Sequence, residues 1–266
     1  MHADYAIIGG TGVYDPALLE NSTTHVVTTP YGDAQVTIGT YHGKTIAFMP
    51  RHGTGHSIPP HKINYRANIM ALKQIGVTQV FSTAAVGSLQ RQVRPGSLVV
   101  IDGFLDFTKV RESTFFDSHP VVHVDLSEPY CNRLRKGLLQ TGADLGLSLI
   151  DGGTYVCTEG PRFESAAEIR MFQQMGGTVV GMTNVPEVVL AKEAELCYAT
   201  VCMVTNYGAG MTTQAVTHEE VLAEMAKNVE KMRNLFFAAI DRLDTQRDCS
   251  CSTAVGGQIP LLGQGN

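Results

Sequence analysis

Two polar residues stand where short apolar runs end. Val179 to Met182 reads as a buried strand and is followed by Thr183, and Tyr198 to Thr205 reads as a second strand, followed by Asn206. In open α/β sheets ligands bind outside the carboxyl ends of strands, so a hydroxyl and a carboxamide at these places can face one crevice. Each also has a plainer use, Thr183 as a helix N-cap and Asn206 as a turn residue. The pattern recurs earlier in the chain. Lys44 to Pro50 is a strand ending in Arg51-His52-Gly53. Arg51 offers a planar fork of donors suited to phosphate and His52 one or two more; the plainer reading is a solvated basic turn. Tyr5 to Ile8 runs into Gly9-Gly10-Thr11-Gly12, whose backbone N–H groups can point at an anion. This is not the G-x-G-x-x-G dinucleotide pattern, because the third glycine and a following helix are missing. Val80 to Ser82 ends in Thr83-Ala84-Ala85-Val86-Gly87-Ser88, small residues that let a ligand approach the backbone closely.

Thr11, Arg51, His52, Ala85, Met182, Thr183 and Asn206 therefore collect at strand ends, with Phe163, Glu164 and His218 added from loops. The set is rich in donors. The chain has no P-loop lysine motif, no acidic metal cluster, no H-E-x-x-H and no G-x-S-x-G. Phosphate held without a metal, beside an aromatic ring, an amide and a carboxylate, points to a nucleoside or nucleotide ligand.

The elements that must position these residues are legible in outline. Residues 179–205 form a strand–helix–strand unit, which predicts two parallel strands with their carboxyl ends on one edge. Pro186 falls in the first turn of the intervening helix, where a missing N–H does no harm. Further helices are expected over 64–73, 130–140, 165–174 and 217–243, and further strands over 97–101 and 153–157. In the last helix Val221, Met225, Val229, Met232, Phe236 and Ile240 keep helical spacing, and Thr217 with Glu220 forms a capping box. His218, in its first turn, faces either the crevice or solvent. Residues 103–125 show no period; their aromatics Phe104, Phe107, Phe115 and Phe116 suggest an exposed interface between subunits.

Composition sets the outer bounds. With 266 residues the chain can form one large α/β domain with a substantial core. A net charge of −5 without any basic run argues against nucleic-acid binding. No apolar run approaches the length of about 20 residues needed to span a membrane, and no secretory signal opens the chain, so a cytoplasmic protein is expected. Of the six cysteines, Cys131, Cys157, Cys197 and Cys202 lie in apolar contexts and read as buried thiols. Cys249-Ser250-Cys251 is a C-x-C pair open to a disulfide or a metal contact, but the polar, glycine-rich stretch 246–266 around it reads as a weakly packed tail after a domain of 1–245.

IIGGTG, PRHG, NYRANIMALK, TEGPRFES, GMTNVPEVVLAKE and the terminal helix are similar, in order and spacing, to motifs of the purine nucleoside phosphorylase and methylthioadenosine phosphorylase family, over about residues 1–245. The resemblance implies a single α/β domain whose central mixed sheet is partly closed as a barrel and flanked by helices. It implies a homotrimer or a hexamer with sites at subunit interfaces, and phosphorolysis of a nucleoside to free purine and pentose 1-phosphate, in purine salvage. Inorganic phosphate would be a co-substrate, and no cofactor or metal is implied. Carried over position by position, Thr11, Arg51, His52, Ala84, Ala85 and Thr183 would hold phosphate. Met182, Phe163, Glu164, Asn206, Tyr207, Gly208 and His218 would hold the nucleoside, and His123 would reach a neighbour's substrate. Arg51, His52 and Asn206 would act in catalysis. Ala84 replaces a threonine of many relatives, which removes one hydroxyl.

Three departures bear on the base and the sugar. Methylthioadenosine-type members carry Asp-Tyr-Asp where this chain has Asn206-Tyr207-Gly208. Asp accepts from a 6-amino group, whereas Asn206 can donate to O6 or N7 of a 6-oxopurine. Glu164 stands where the 6-amino enzymes tend to have serine, and a carboxylate accepts from N1–H of hypoxanthine or guanine. Thr217-His218-Glu219-Glu220-Val221 resembles the N-H-E-E-V of 6-oxopurine enzymes, whose His meets a 5′-hydroxyl. The expectation is a 6-oxopurine nucleoside phosphorylase acting on inosine and guanosine; the alternative substrate is a 5′-methylthio nucleoside, methylthioinosine or methylthioadenosine.

Overall fold

Strand β5 (Gln79–Ser88) is buried along nearly its whole length, as expected of a strand covered on both faces. A computed structural model describes residues 1–9, 18–118, 121–213 and 218–256, with the backbone alone at 54, 218–223 and 227. One edge of β5 is paired in parallel throughout with β11 (Cys197–Tyr207). The other edge has two partners in succession. β1 (Tyr5–Gly9) runs parallel to Gln79–Ser82, and β10 (Val179–Gly181) runs antiparallel to Gly87 and Ser88. Between them Thr83–Val86 have no strand neighbour on that edge among the described residues.

β4 (Lys44–Pro50) lies parallel to β1, and the hairpin of β2 (Glu20–Thr29) and β3 (Gly32–Tyr41) extends that wing in antiparallel fashion. On the other side β11 pairs with β6 (Leu98–Val100), and β6 with β8 (Leu149–Asp151). Gly152-Gly153 carry the chain from β8 into β9 (Thr154–Thr158), which pairs with both β10 and β7 (Gly103–Phe107). Since β10 returns to β5, the strands form a circuit that is closed by pairing everywhere except between β8 and β9, where the chain itself makes the link. The expected mixed sheet with a barrel-like part is therefore present.

Helices cover both faces because alternate side chains of the central strands point both ways. Ile8 and Met49 share one core with Ile69 and Leu72 of α1 (Tyr65–Gln74) and with Val188 and Leu190 of α4 (Asn184–Glu193). Ile7 and Phe48 share another with Leu134 and Leu138 of α2 (Asn132–Asp144) and with Phe236 and Ile240 of α5 (His218–Arg242). Asn64 caps α1, its Oδ1 accepting from the Ala67 N–H at 3.0 Å. Ser165 and Glu168 form a capping box on α3 (Ala166–Gln174). Among the described residues no helix is long and apolar enough to cross a membrane.

Several expectations are corrected. β10 and β11 are not parallel, because β10 runs against β5 and β11 with it; the helix between them returns the chain to opposite edges of one strand. Residues 83–88 are strand rather than loop, since β11 continues to pair with them. The stretch 103–125 begins as β7, and its aromatics turn inward. Phe115 is buried, Phe104 and Phe116 pack on the core, and Phe107 meets Phe172 at 4.9 Å. The buried head of Arg111 pins this stretch through the carbonyls of Val185, Thr158 and Glu159. The hairpin β2–β3 was not expected, because β2 is mostly exposed and its Thr-rich run lacks clear alternation. Finally, residues 246–256 are not loosely packed: Cys251 and Val255 are buried. The Thr217–Glu220 cap lies outside the described residues.

Candidate active site

The gap between β1 and β10 is the floor of a cleft of about 770 Å³. Thr83–Val86 line it because no strand covers them there. β4 ends at the same level, since Pro50 pairs with Gly9 just beyond Ile8↔Ser82, and this brings in Arg51 and His52. β10 arrives from the far side and turns at Met182-Thr183, and β11 passes along the other edge with Asn206 beside Gly87. Phe163 and Glu164 come from the loop before α3. A Cβ at Gly87 would lie 3.2 Å from Asn206 Nδ2, so glycine permits the close approach of this amide. The ligand site thus sits at a break in strand pairing, the closest analogue here of a topological switch point.

Arg51, His52, Ala84, Ala85, Thr183, Met182, Asn206, Gly208, Phe163 and Glu164 all line this cleft. Tyr207 does not. It pairs with Ser88, its side chain projects to the other face, and its hydroxyl donates to the Arg91 carbonyl at 3.2 Å. His123 is exposed and lies away from this chain's own cleft. Thr11 lies outside the described residues, and the side chain of His218 does too.

Arg51 is 2% exposed and mostly engaged inside the protein. Its Nε donates to Glu187 Oε2 at 2.7 Å and its Nη2 to Glu187 Oε1 at 2.8 Å and Ser82 Oγ at 2.6 Å, while Nη1 donates to the Thr83 carbonyl at 2.9 Å. A guanidinium has five N–H groups, so one on Nη1 is left for a ligand. The expected two-pronged fork for phosphate is in truth directed at Glu187, and Arg51 offers the cleft a single fixed donor. Burial lowers the pKa of this guanidinium, but the adjoining Glu187 carboxylate outweighs that and holds it above the ordinary range.

His52 is likewise different from expectation. Burial, with Arg51 and His56 adding to it, lowers its pKa to about 4, so the ring is neutral at pH 7. Its Nδ1 lies 2.9 Å from the Ile58 carbonyl, which can only accept, so Nδ1 carries the hydrogen and Nε2 the lone pair. A neutral His52 therefore accepts from a ligand hydroxyl, such as that of HPO₄²⁻, rather than donating to it. This has a stability consequence. The unfolded ring binds a proton near its ordinary pKa of 6.5 and the folded ring only near 4, so stability is full above 6.5 and falls as pH drops toward 4. The total is about 3 kcal/mol. Unfolding in urea at pH 7.5 and 4.5 should show the wild type losing about 2–3 kcal/mol more than His52→Gln over that range; equal losses would refute the neutral assignment.

Thr183 does not cap α4 with its side chain; it lines the cleft, with the Tyr155 hydroxyl beside it. Thr83, passed over in the sequence as merely small, has a buried Oγ1 with no hydrogen-bond partner while it lines the cleft. Only the gap in strand pairing exposes its value. Glu164 accepts from the Thr158 hydroxyl through Oε1 at 2.7 Å, and burial raises its pKa. Asn206 accepts from the Thr205 hydroxyl and gives one N–H to the Tyr207 carbonyl, each at 2.8 Å, which fixes its orientation with one N–H left. Phe163, at 43% exposed, forms an aromatic wall at the mouth. Met182, Met203 and Met225 make the remaining wall apolar.

Comparison with known proteins agrees with this geometry. Residues 4–241 match the family model described as the phosphorylase superfamily. The chain is 54% identical over 253 residues to the "Probable 6-oxopurine nucleoside phosphorylase" of Moorella thermoacetica, covering 94% of this chain and 97% of the relative. It is 50% identical over 260 residues to the "6-oxopurine nucleoside phosphorylase" of Pyrococcus furiosus, covering 95% and 97%. Among solved structures, a methylthioadenosine phosphorylase from an antarctic soil metagenomic library superposes with a TM-score of 0.90 at 36% identity, covering 96% of this chain and 91% of that one.

Proposed function

Because this chain belongs to the phosphorylase superfamily, we propose that its cleft carries out phosphorolysis of 6-oxopurine nucleosides, inosine and guanosine, to free purine and ribose 1-phosphate. Inorganic phosphate is the co-substrate, and the reaction needs no cofactor. The observation that carries the base assignment is the pair Glu164 and Asn206 on one cleft. The Glu164 carboxylate accepts from N1–H, and the remaining Asn206 N–H donates to O6 or N7. An adenine offers an acceptor at N1 and a donor at N6, so the Glu164 contact would be mismatched, and so would the Asn206 contact where it is made to the 6-position.

In the reaction the C1′–N9 bond breaks as a phosphate oxygen bonds to C1′. The electron pair enters the purine, and the proton of HPO₄²⁻ ends on the base. The protein forms no covalent bond; it supplies position and hydrogen bonds. The Nη1 donor of Arg51, the hydroxyls of Thr83 and Thr183 and the backbone at Ala84-Ala85 hold phosphate, while His52 accepts its hydroxyl. Arg51 and Glu187 are together neutral, so this pocket selects phosphate by donor geometry rather than by net charge. Thr83→Val should raise the KM for phosphate about 10-fold or more, since a hydrogen bond to a charged group is worth about 1.5–3 kcal/mol. Stability should hardly change, because the hydroxyl has no internal partner. An unchanged phosphate KM would remove Thr83 from the site.

The apolar Met182, Met203 and Met225 favour a second reading, in which the sugar carries a 5′-methylthio group. Base release from inosine, guanosine, methylthioinosine and methylthioadenosine, each with and without phosphate, separates these readings. Phosphate-dependent hypoxanthine and guanine release supports the first. Release mainly from methylthio substrates supports the second, and phosphate-independent release from any would argue against a phosphorylase altogether. The same reading makes the protein a cytoplasmic salvage enzyme assembled as a homotrimer or dimer of trimers. His123, exposed and not among the residues lining its own cleft, would then complete a neighbouring site.

A further inference from the structure

Cys131, Cys197, Cys249 and Cys251 converge far from the cleft. Their four Sγ atoms all lie within 4.8 Å of one another, and none is in a disulfide. Cys131 is the N-cap of α2, Cys197 opens β11, and Cys249 and Cys251 come from the chain after α5. Cys131, Cys197 and Cys251 are buried and Cys249 half-buried. β11 runs from Cys197 at this cluster to Asn206 at the cleft. At about 3.3 Å per residue the two places are about 30 Å apart.

We infer that these four cysteines are the ligands of a structural zinc ion. Four thiolates around zinc at about 2.3 Å form a tetrahedron with edges of about 3.8 Å. Separations that all stay within 4.8 Å accommodate that edge, and the Cys197–Cys249 pair at 3.3 Å is well beyond an S–S bond of about 2.05 Å. On binding, four S–H groups release their protons to solvent and four Zn–S bonds form. No coordination position remains open, so the site is structural and not catalytic. The first-turn N–H groups of α2 favour the charge on the Cys131 sulfur.

Zinc would add to the contacts that hold the chain around the cluster. Residues 244–256 are held otherwise by ion pairs of Arg133 with the exposed Asp244 and Asp248, by Gln79 on the Asp244 carbonyl, by Arg247 on the Glu195 carbonyl, by the Val255 N–H on Glu195, and by the burial of Cys251 and Val255. Exposed pairs of this kind contribute little. Zinc would join the start of α2, the start of β11 and the C-terminal segment in one rigid unit.

The test uses the full chain, produced with zinc in the medium and purified under thiol-reducing conditions without chelator. Elemental analysis should find about one zinc per chain, released as a mercurial reagent titrates the thiols. Replacing zinc by Co²⁺ should give tetrahedral d–d bands with a thiolate charge-transfer band. A Cys249→Ser/Cys251→Ser variant should lose the metal and melt several degrees lower while keeping its cleft activity at low temperature. If that variant fails to fold, the stoichiometric release from the wild type still decides. Metal-free protein in which all six cysteines titrate as thiols would overturn the inference. So would metal-free protein in which only two titrate, since the cluster would then be a pair of disulfides.

Discussion

Glu187→Gln is expected to cost about 3–5 kcal/mol of stability, because it leaves a buried guanidinium without its counter-charge. Glu187 is fully buried and receives four hydrogen bonds, two from Arg51, one from Ser82 at 3.1 Å and one from Tyr198 at 2.7 Å. Tyr198 in turn meets Asn184, which also contacts Thr200 and Tyr130. The amide of glutamine keeps the shape but not the charge. Phosphate offers the missing charge from the cleft side, so part of the loss should be recovered when phosphate binds. Denaturation with and without phosphate should therefore show a larger phosphate-induced gain in the variant than in the wild type. A loss below about 1 kcal/mol would show that the pair is not what holds Arg51 in place.

The second large effect concerns the base. Glu164→Ser with Asn206→Asp should turn the preference from inosine toward adenosine. Each mismatched hydrogen bond costs about 1–3 kcal/mol, so the ratio of kcat/KM values should move by about two orders of magnitude or more. The single variants should each achieve part of this, without strict additivity, because both residues touch one ligand. Thr158 should keep its place in the double variant, since Ser at 164 no longer reaches its hydroxyl but that hydroxyl also lies 3.4 Å from the Gly181 carbonyl. An unaltered inosine-to-adenosine ratio in the double variant would end the base-recognition argument. The raised pKa of Glu164 adds a pH signature. Inosine cleavage should decline in mild acid as the carboxyl takes a proton and can no longer accept from N1–H in the same way, and Glu164→Gln should flatten that decline.

What the amino-acid sequence determined by itself was local. Apolar runs ending in polar residues marked β1, β4, β10 and β11, and the helical periods marked α1 to α5, because both signals arise between residues a few positions apart. The ordered motifs carried the family. Strand ends and loops brought forward Thr183, Asn206, Phe163 and Glu164, all of which line one cleft. Tertiary structure decided what depends on partners distant in the chain. That β10 runs antiparallel to β5, and so leaves Thr83–Val86 uncovered, is a choice of neighbour that no local period encodes. Arg51 read as a free phosphate clamp until Glu187, 136 positions away, claimed most of its donors. His52 read as one or two donors until burial and the Ile58 carbonyl made it a neutral acceptor. Cys249 and Cys251 read as a C-x-C pair in a weakly packed tail, and only the fold sets them against Cys131 and Cys197. Residue type and spacing establish which chemistry is available, while desolvation and long-range pairing establish which atoms remain free to perform it.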